Sequence, residues 1–125
     1  MSKKIFLVDD SATILMSMSG ILKQAGYQVE TAANGEEALQ KLKSMAQRPH
    51  LIITDINMPK MNGMELLKEV KALPAYRFVP ALVLTTESQQ ARRQEAKSLG
   101  AAGWLVKPVP GSDLLKVIKQ LLPGA

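Results

Sequence analysis

Three carboxylates follow two short apolar runs of the sequence. Asp9 and Asp10 come directly after the run at 5–8, and Asp55 comes directly after the run at 51–54. If these groups lie together they repel, since a like-charge pair at about 4 Å and an effective dielectric near 20 costs roughly 4 kcal/mol. Such a cluster holds a proton or binds a cation. Carboxylate oxygens without a nearby histidine or cysteine are ligands suited to Mg²⁺.

Hydroxyl groups and one ammonium stand at similar places in the chain. Thr85 and Thr86 come at the end of the apolar run that begins at Ala81, and Lys107 follows the run at 103–106. Mg²⁺ keeps several waters and takes few protein carboxylates, which leaves room for a phosphoryl oxygen, and an ammonium can neutralise another oxygen of the same group. A carboxylate, a metal ion and a lysine at one point are therefore suited to phosphoryl transfer onto an aspartate.

These groups can meet only if the apolar runs are strands of one parallel sheet. Continuous apolar runs are typical of strands buried on both faces, and segments of helical periodicity separate them. The predicted strands are Ile5–Val8, Tyr27–Ala32, Leu51–Thr54, Ala81–Thr85 and Gly103–Val106, and the predicted helices are 11–25, 35–45, 63–73, 87–99 and 112–122. This alternation predicts an α/β fold, a doubly wound five-stranded parallel sheet with helices on both faces. In such sheets ligands bind beyond the carboxyl ends of the strands.

Helix-start signals support this division of the chain. Asn34 and Asn62 each precede a glycine and stand three positions before a glutamate, Glu37 and Glu65. This spacing predicts a capping box at the start of the second and third helices.

Composition limits the classes of protein to consider. With 125 residues, 46% hydrophobic and 22% charged, the sequence predicts one globular domain over residues 1–125. The lack of cysteine excludes a disulfide framework, a thiolate metal site and cysteine catalysis. No apolar run approaches the length of a membrane span, so we expect a cytoplasmic protein without membrane association. The net charge of +5 invites a nucleic-acid interpretation, but aromatic residues are only 4% and basic residues are scattered, so we expect none.

The segments around the strand ends resemble the receiver domain of two-component response regulators, in its stand-alone chemotaxis-regulator form. The matching segments are Leu7-Val8-Asp9-Asp10-Ser11, Asp55-Ile56-Asn57-Met58-Pro59-Lys60-Met61-Asn62-Gly63, Leu84-Thr85-Thr86-Glu87 and Gly100-Ala101-Ala102-Gly103-Trp104-Leu105-Val106-Lys107-Pro108. The matching segments extend over essentially the whole chain and stand in the same order as in the family. Each motif alone is weak evidence, and only their combination is specific for the family. The resemblance implies a flavodoxin-like sheet with strand order 2-1-3-4-5.

The resemblance also implies a role for each residue at the strand ends. Asp55 would be the phospho-acceptor, taking the group from a phosphohistidine of a sensor histidine kinase. Asp10 would bind Mg²⁺ directly and Asp9 through a bound water, with Asp55 and the backbone carbonyl of Asn57 completing the protein ligands. Lys107 would pair with a phosphoryl oxygen.

Further implied roles concern switching. Thr85 would turn its hydroxyl towards the phosphoryl group, and Trp104, where the family usually has Tyr or Phe, would move with it. The indole of Trp104 is larger than either of those side chains and donates only through its ring N–H. Asn57 and Glu87 would set the rate of dephosphorylation. The Lys107–Pro108 peptide bond would be cis.

Other functions are weaker alternatives. A flavodoxin would need a phosphate-binding loop after the first strand, where Asp9 and Asp10 would repel the phosphate. A haloacid-dehalogenase-type phosphatase would need Asp-x-Asp-x-Thr there, but Ser11 stands at the third position. A DNA-binding protein would need a reading element, and no helix-turn-helix segment is expected in this chain.

For the favoured function we expect a monomer that is not an enzyme beyond its own phosphorylation and dephosphorylation. Because the sequence ends just after the fifth helix, we expect no output domain. The partners would be a chemotaxis-type sensor kinase and an output protein such as the flagellar motor switch, docking on the fourth helix, fifth strand and fifth helix. A receiver in another relay, a phosphate sink and a phosphorylation-independent binding module remain open.

Overall fold

The computed structural model describes residues 3–58, 60–86 and 89–122, and its elements alternate along the chain. The strands are β1 (Lys4–Val8), β2 (Gln28–Ala32), β3 (Leu51–Thr54), β4 (Ala81–Thr85) and β5 (Gly103–Val106). The helices are α1 (Ala12–Gln24), α2 (Gly35–Ser44), α3 (Gly63–Ala72), α4 (Gln90–Ser98) and α5 (Gly111–Leu121), with a short 3₁₀ helix over Pro74–Tyr76. Within the described ranges, no helix has the length and apolar character needed to cross a membrane.

The strands form one parallel sheet in the order β2-β1-β3-β4-β5. This confirms the predicted fold class and strand order. Val8 at the end of β1 pairs with Ala32 of β2 and with Thr54 of β3, and Thr85 at the end of β4 pairs with Val106 of β5. The carboxyl ends of the strands therefore lie along one edge, and the residues that follow them share it.

Each face of the sheet carries its own layer of buried side chains, because successive residues of a strand point to opposite faces. Phe6, Val8, Ile52 and Val83 pack against α2, α3 and α4. On the other face, strand residues such as Leu7 pack against α1 and α5. Burial on both faces explains why β1, β3 and β4 are continuous apolar runs.

The helix starts follow the predicted caps with one difference. Asn62 accepts from the backbone N–H of Glu65 at 2.9 Å and the Glu65 side chain accepts from Asn62 N–H, so α3 has the predicted capping box. At α2, Asn34 accepts from Glu37 N–H at 2.8 Å, but the Glu37 carboxylate accepts from Ala33 N–H rather than from the cap residue. Asn34 therefore caps α2, but Asn34 and Glu37 do not form the two reciprocal hydrogen bonds of a capping box.

The fourth helix is shorter than predicted. The prediction placed it over 87–99, whereas α4 spans Gln90–Ser98 and residues 87 and 88 lie outside the described part of the chain. Ala96 is the buried residue of this helix, and its other residues are polar except for the exposed Ala91. A helix with so small an apolar face gives little periodic signal for its ends.

Candidate functional site

The sheet positions two aspartates at neighbouring strand ends. Asp9 directly follows β1, and its N–H donates to Ala32 O at 3.2 Å. Asp55 directly follows β3, and its N–H donates to Val8 O at 3.0 Å. The ladder therefore continues one residue beyond each strand and fixes both aspartate backbones. Both residues are buried.

Backbone N–H groups hold one oxygen of each carboxylate. Asp9 Oδ1 accepts from Ser11 N–H at 3.0 Å. Asp55 Oδ1 accepts from Ile56 N–H at 2.6 Å and from Asn57 N–H at 3.4 Å. These bonds fix the rotation of each carboxylate and leave its second oxygen available for other groups.

Lys107 joins the two aspartates through those second oxygens. Its Nζ donates to Asp9 Oδ2 at 2.7 Å and to Asp55 Oδ2 at 3.0 Å. The side chains of Lys107, Asp9 and Asp55 are only 13, 4 and 9% exposed, so this ion-pair network is shielded from water. Burial by itself lowers the pKa of Lys107, but the hydrogen bonds and charges of the two aspartates outweigh it and raise that pKa above its usual range.

A third carboxylate lies beside this network. Oxygens of Asp9, Asp10 and Asp55 are all within 4.8 Å of one another, and Asp10 is exposed to solvent. Three carboxylates of this kind, one of them open to water, match the oxygen ligands that a hard divalent cation takes. The donor set therefore fits a Mg²⁺ ion. Asn57, whose carbonyl the resemblance implies as a further ligand, is exposed next to the same site.

The remaining predicted residues lie on β4, β5 and the segments that follow them. Thr85 is fully buried at the end of β4, and its carbonyl accepts from Lys107 N–H at 2.8 Å. Trp104 pairs with Val83 in the sheet and packs, partly buried, against the α2–α4 core layer. The Lys107–Pro108 peptide bond is cis. Glu87 lies outside the described residues, so its predicted role stays a prediction.

Two glycines lie in close contact with the backbone around the site. They were not predicted as site residues, because the prediction was based on the residues that follow the strands. A Cβ on Gly63 would lie 2.1 Å from Asp55 O, and Gly63 N–H donates to Ile56 O at 2.9 Å. A Cβ on Gly35 would lie 2.4 Å from Met61 O, which accepts from Gly35 N–H at 3.2 Å. Both helix starts therefore press against the loop after Asp55. The Asn-Gly pair at each start is the sequence signal that could have indicated this close approach.

A family profile described as response regulator receiver domain matches residues 5–119. The chain belongs to this family. The match covers every strand except the first residue of β1, and it includes all of the aspartates and the lysine described above.

Individual relatives support the same assignment. The chemotaxis protein CheY of Thermotoga maritima is 34% identical over 122 residues, with 97% of this chain and 98% of that protein covered. The transcriptional regulatory protein CpxR homolog of Haemophilus influenzae is 39% identical over 119 residues, covering 95% of this chain. Since the match covers 50% of that regulator, the chain spans about half its length.

A solved structure gives the same result. The structure of the Vibrio cholerae chemotaxis protein CheY4 superposes with a TM-score of 0.92 at 46% sequence identity, covering 98% of this chain and 100% of CheY4. The chain is thus a receiver similar to stand-alone CheY-like proteins, and also similar to the receiver part of longer regulators.

Proposed function

We propose that this receiver accepts a phosphoryl group on Asp55 from a sensor histidine kinase, with Mg²⁺, and that phosphorylation changes its binding to an output protein. The observation that carries the proposal is the buried network in which Lys107 bridges Asp9 and Asp55 beside Asp10. Membership in the receiver family supports it.

The geometry supports Asp55 as the nucleophile. Its carboxylate is oriented by Ile56 N–H and Lys107, and its backbone is fixed between β1 and the start of α3. In the transfer, a carboxylate oxygen forms the new bond to phosphorus while the phosphorus–nitrogen bond of the kinase phosphohistidine breaks, and the imidazole nitrogen keeps the electron pair. The protein would thus promote its own modification rather than turn over an external substrate.

Asp9, Asp10 and Asp55 would hold the Mg²⁺ ion. When bound, the ion would offset the carboxylate charge and the charge of the phosphoryl oxygens. Lys107 lies within hydrogen-bond distance of Asp55 Oδ2, so it is placed to donate to a phosphoryl oxygen attached there. The Thr85 hydroxyl and Trp104 would respond to this change on the face formed by α4, β5 and α5.

Chemotaxis is the setting that we propose for this switch, with a chemotaxis-type kinase and an output protein such as the flagellar motor switch. The full-length match to CheY of Thermotoga maritima and to CheY4 of Vibrio cholerae supports it. A receiver of another relay is the second candidate, because a CpxR homolog matches at 39% identity over the receiver part of a longer protein. The two candidates are distinguished by titrating the purified motor-switch protein with phosphorylated and with unphosphorylated receiver. Phosphorylation-dependent binding is expected for the chemotaxis setting and not for a receiver of another relay.

The test of the phosphorylation chemistry uses small phosphodonors. The purified protein is mixed with acetyl phosphate or phosphoramidate, with and without Mg²⁺, and followed by intact mass and Trp104 fluorescence. We expect a Mg²⁺-dependent mass gain of one phosphoryl group that disappears in Asp55→Asn. Asp113→Asn, an exposed acidic residue in the first turn of α5, is the matched control and should be labelled like the wild type. Labelling of Asp55→Asn to the same extent would contradict the proposal, and absence of labelling in all proteins would favour a phosphorylation-independent binding module.

A further inference from the structure

An open groove of about 900 Å³ lies at the opposite edge of the sheet from Asp55. It is formed where β1, β3 and β4 begin, by the residues at the amino ends of these strands and the segments before them. Because strands rise about 3.3 Å per residue, strands of four or five residues place this groove some 15 Å from the aspartates. A partner in the groove would leave the aspartates accessible.

The groove is basic. Lys3, Lys4, Arg48 and His50 line it, and no Asp or Glu is among the lining residues in the described part of the chain. Across residues 3–58, 60–86 and 89–122, the ammonium groups of Lys3 and Lys4 have no hydrogen-bond or ion-pair partner. Their charges are therefore available to an anionic group.

The position of His50 is fixed by the backbone of β1. His50 N–H donates to Lys4 O at 2.7 Å, and His50 Nδ1 accepts from Lys4 N–H at 3.0 Å. Since Nδ1 acts as an acceptor, the ring proton of the neutral imidazole is on Nε2. The histidine thus offers a fixed donor beside the lysines.

An exposed aromatic ring borders the basic residues. Phe78 is 90% exposed, and the Arg77 guanidinium carbon lies 5.7 Å from the centre of its ring. Val79 and Pro80, which follow it, also line the groove. One exposed apolar side chain is ordinary on a protein surface, but this ring lines the same groove as Lys3, Lys4 and His50.

The segment that presents Phe78 is anchored at several points. Lys71 Nζ donates to Val79 O at 2.6 Å, and Arg48 Nη1 donates to Ala75 O at 2.6 Å. The buried Tyr76 hydroxyl donates to a backbone carbonyl of α2. These bonds reach α3, the segment before β3 and α2, so the ring stands on a pre-organised loop.

We propose that this groove binds an acidic peptide segment of a partner protein, with an aromatic or aliphatic side chain next to its carboxylates. The carboxylates would pair with Lys3, Lys4 and the His50 Nε2–H, and the apolar side chain would cover Phe78. A peptide fits better than a small inorganic anion, because the cations are spread along an open groove and the exposed Phe78 ring offers an apolar contact that such an anion cannot use. It also fits better than a single-stranded nucleic acid, since one exposed ring does not form a stacking platform for successive bases.

The proposal is tested with a fluorescent peptide that alternates Glu or Asp with Phe and Leu. Binding to the full chain is measured by anisotropy, and its location by amide chemical shifts in ¹⁵N-labelled protein. We expect saturable binding, with shifts concentrated around Lys4, His50 and Phe78. Phe78→Ser and the double variant Lys3→Glu/Lys4→Glu should each weaken binding by about tenfold.

Matched controls separate this site from general charge attraction. Lys116→Glu/Lys119→Glu changes the net charge equally on α5, which does not line the groove, and should leave binding within about twofold, because salt screens exposed charges that lie away from the site. A peptide with Ser in place of Phe and Leu should bind more weakly. Unchanged circular dichroism and unchanged labelling by acetyl phosphate would show that the groove variants are folded.

Several outcomes would overturn the proposal. They are no saturable binding, equal loss in the α5 control, equal binding of the Ser-substituted peptide, and tighter binding of a single-stranded oligonucleotide at the same amides. Shifts at these amides caused equally by inorganic phosphate would assign the groove to a small anion and would also overturn it. Peptide-independent shifts that grow with protein concentration would indicate a second copy of this chain as the occupant.

Discussion

Replacing Lys107 with methionine removes the ammonium between two buried carboxylates while keeping a side chain of similar length. Asp9 and Asp55 would then face each other with oxygens within 4.8 Å, and at an effective dielectric near 20 two such charges repel by about 3.5 kcal/mol. Removing one partner of a buried ion pair costs about 3–5 kcal/mol in general. We therefore expect Lys107→Met to lower the free energy of unfolding by about 3 kcal/mol without Mg²⁺.

Mg²⁺ should reverse part of this loss. In the wild type the ammonium occupies Asp9 Oδ2 and Asp55 Oδ2, so a cation must compete with it. In Lys107→Met the cation would meet uncompensated carboxylates, and binding to the folded state alone raises its stability. Urea unfolding followed by circular dichroism, with and without millimolar Mg²⁺, should show a larger gain for the variant than for the wild type.

The matched control is Lys116→Met, which removes an exposed lysine of α5. It should change the free energy of unfolding by less than about 0.5 kcal/mol. If both variants unfold at the same urea concentration, the buried network does not stabilise the fold and the reasoning is refuted. A Mg²⁺ effect no larger in Lys107→Met than in the wild type would refute the second part.

The pH dependence of this difference follows from the raised pKa of Lys107. A lysine whose pKa is higher in the folded than in the unfolded chain stabilises the fold fully below the unfolded value of about 10.4. The contribution is lost as pH rises through the higher folded value. The stability difference between wild type and Lys107→Met should therefore stay constant from about pH 7 to pH 10 and shrink above that, as measured by unfolding at each pH.

Three further substitutions test other parts of the structure by urea unfolding. Gly63→Ala places a Cβ 2.1 Å from Asp55 O, so it should cost about 2–4 kcal/mol and reduce labelling by acetyl phosphate, and normal stability would contradict the close approach. Gly20→Ala, in the interior of α1 with no atom within 4 Å of the new Cβ, should stabilise by about 0.5–1 kcal/mol, and a loss would show an unseen clash. Tyr76→Phe leaves the buried Leu42 O without its hydroxyl donor and should cost about 1–2 kcal/mol, whereas no change would mean that water replaces the hydroxyl.

Most of the fold could be predicted because the buried strands are uninterrupted runs of apolar residues. The bounds predicted for β3, β4 and β5 agree with the structure, and β1 and β2 each differ by one residue at their start. The helices with a distinct apolar face were predicted within two residues of their ends. The exception is α4, whose position depends on tertiary packing of Ala96 rather than on a periodic pattern. The 3₁₀ helix at Pro74–Tyr76 was not predicted, since a single turn leaves no periodicity.

The sequence predicted which residues form the candidate site, but it did not predict the hydrogen bonds and ion pairs between them. Asp9, Asp55 and Lys107 stand directly after strands, and parallel pairing alone brings such residues to one edge. The sequence indicated a phosphoryl oxygen as the partner of Lys107, whereas the structure shows this ammonium between two carboxylates. The contact of Gly63 with Asp55 O was not predicted either, because it depends on the angle at which α3 leaves its loop.

The ion-pair network also links the site to the correct order of the sheet. Lys107 reaches Asp9 across 98 positions and Asp55 across 52 positions of the sequence, so no local segment contains both charges of either pair. The carboxylates of Asp9 and Asp55 are adjacent because β1 and β3 are paired, and the ammonium of Lys107, which directly follows β5, offsets their repulsion at the same edge. β5 therefore contributes to the stability of the fold through the position of Lys107 as well as through its hydrogen bonds with β4. The repulsion between Asp9 and Asp55 is therefore offset by an ammonium only when β5 is part of the sheet, and the same carboxylates, with Asp10, would hold the Mg²⁺ ion that we propose.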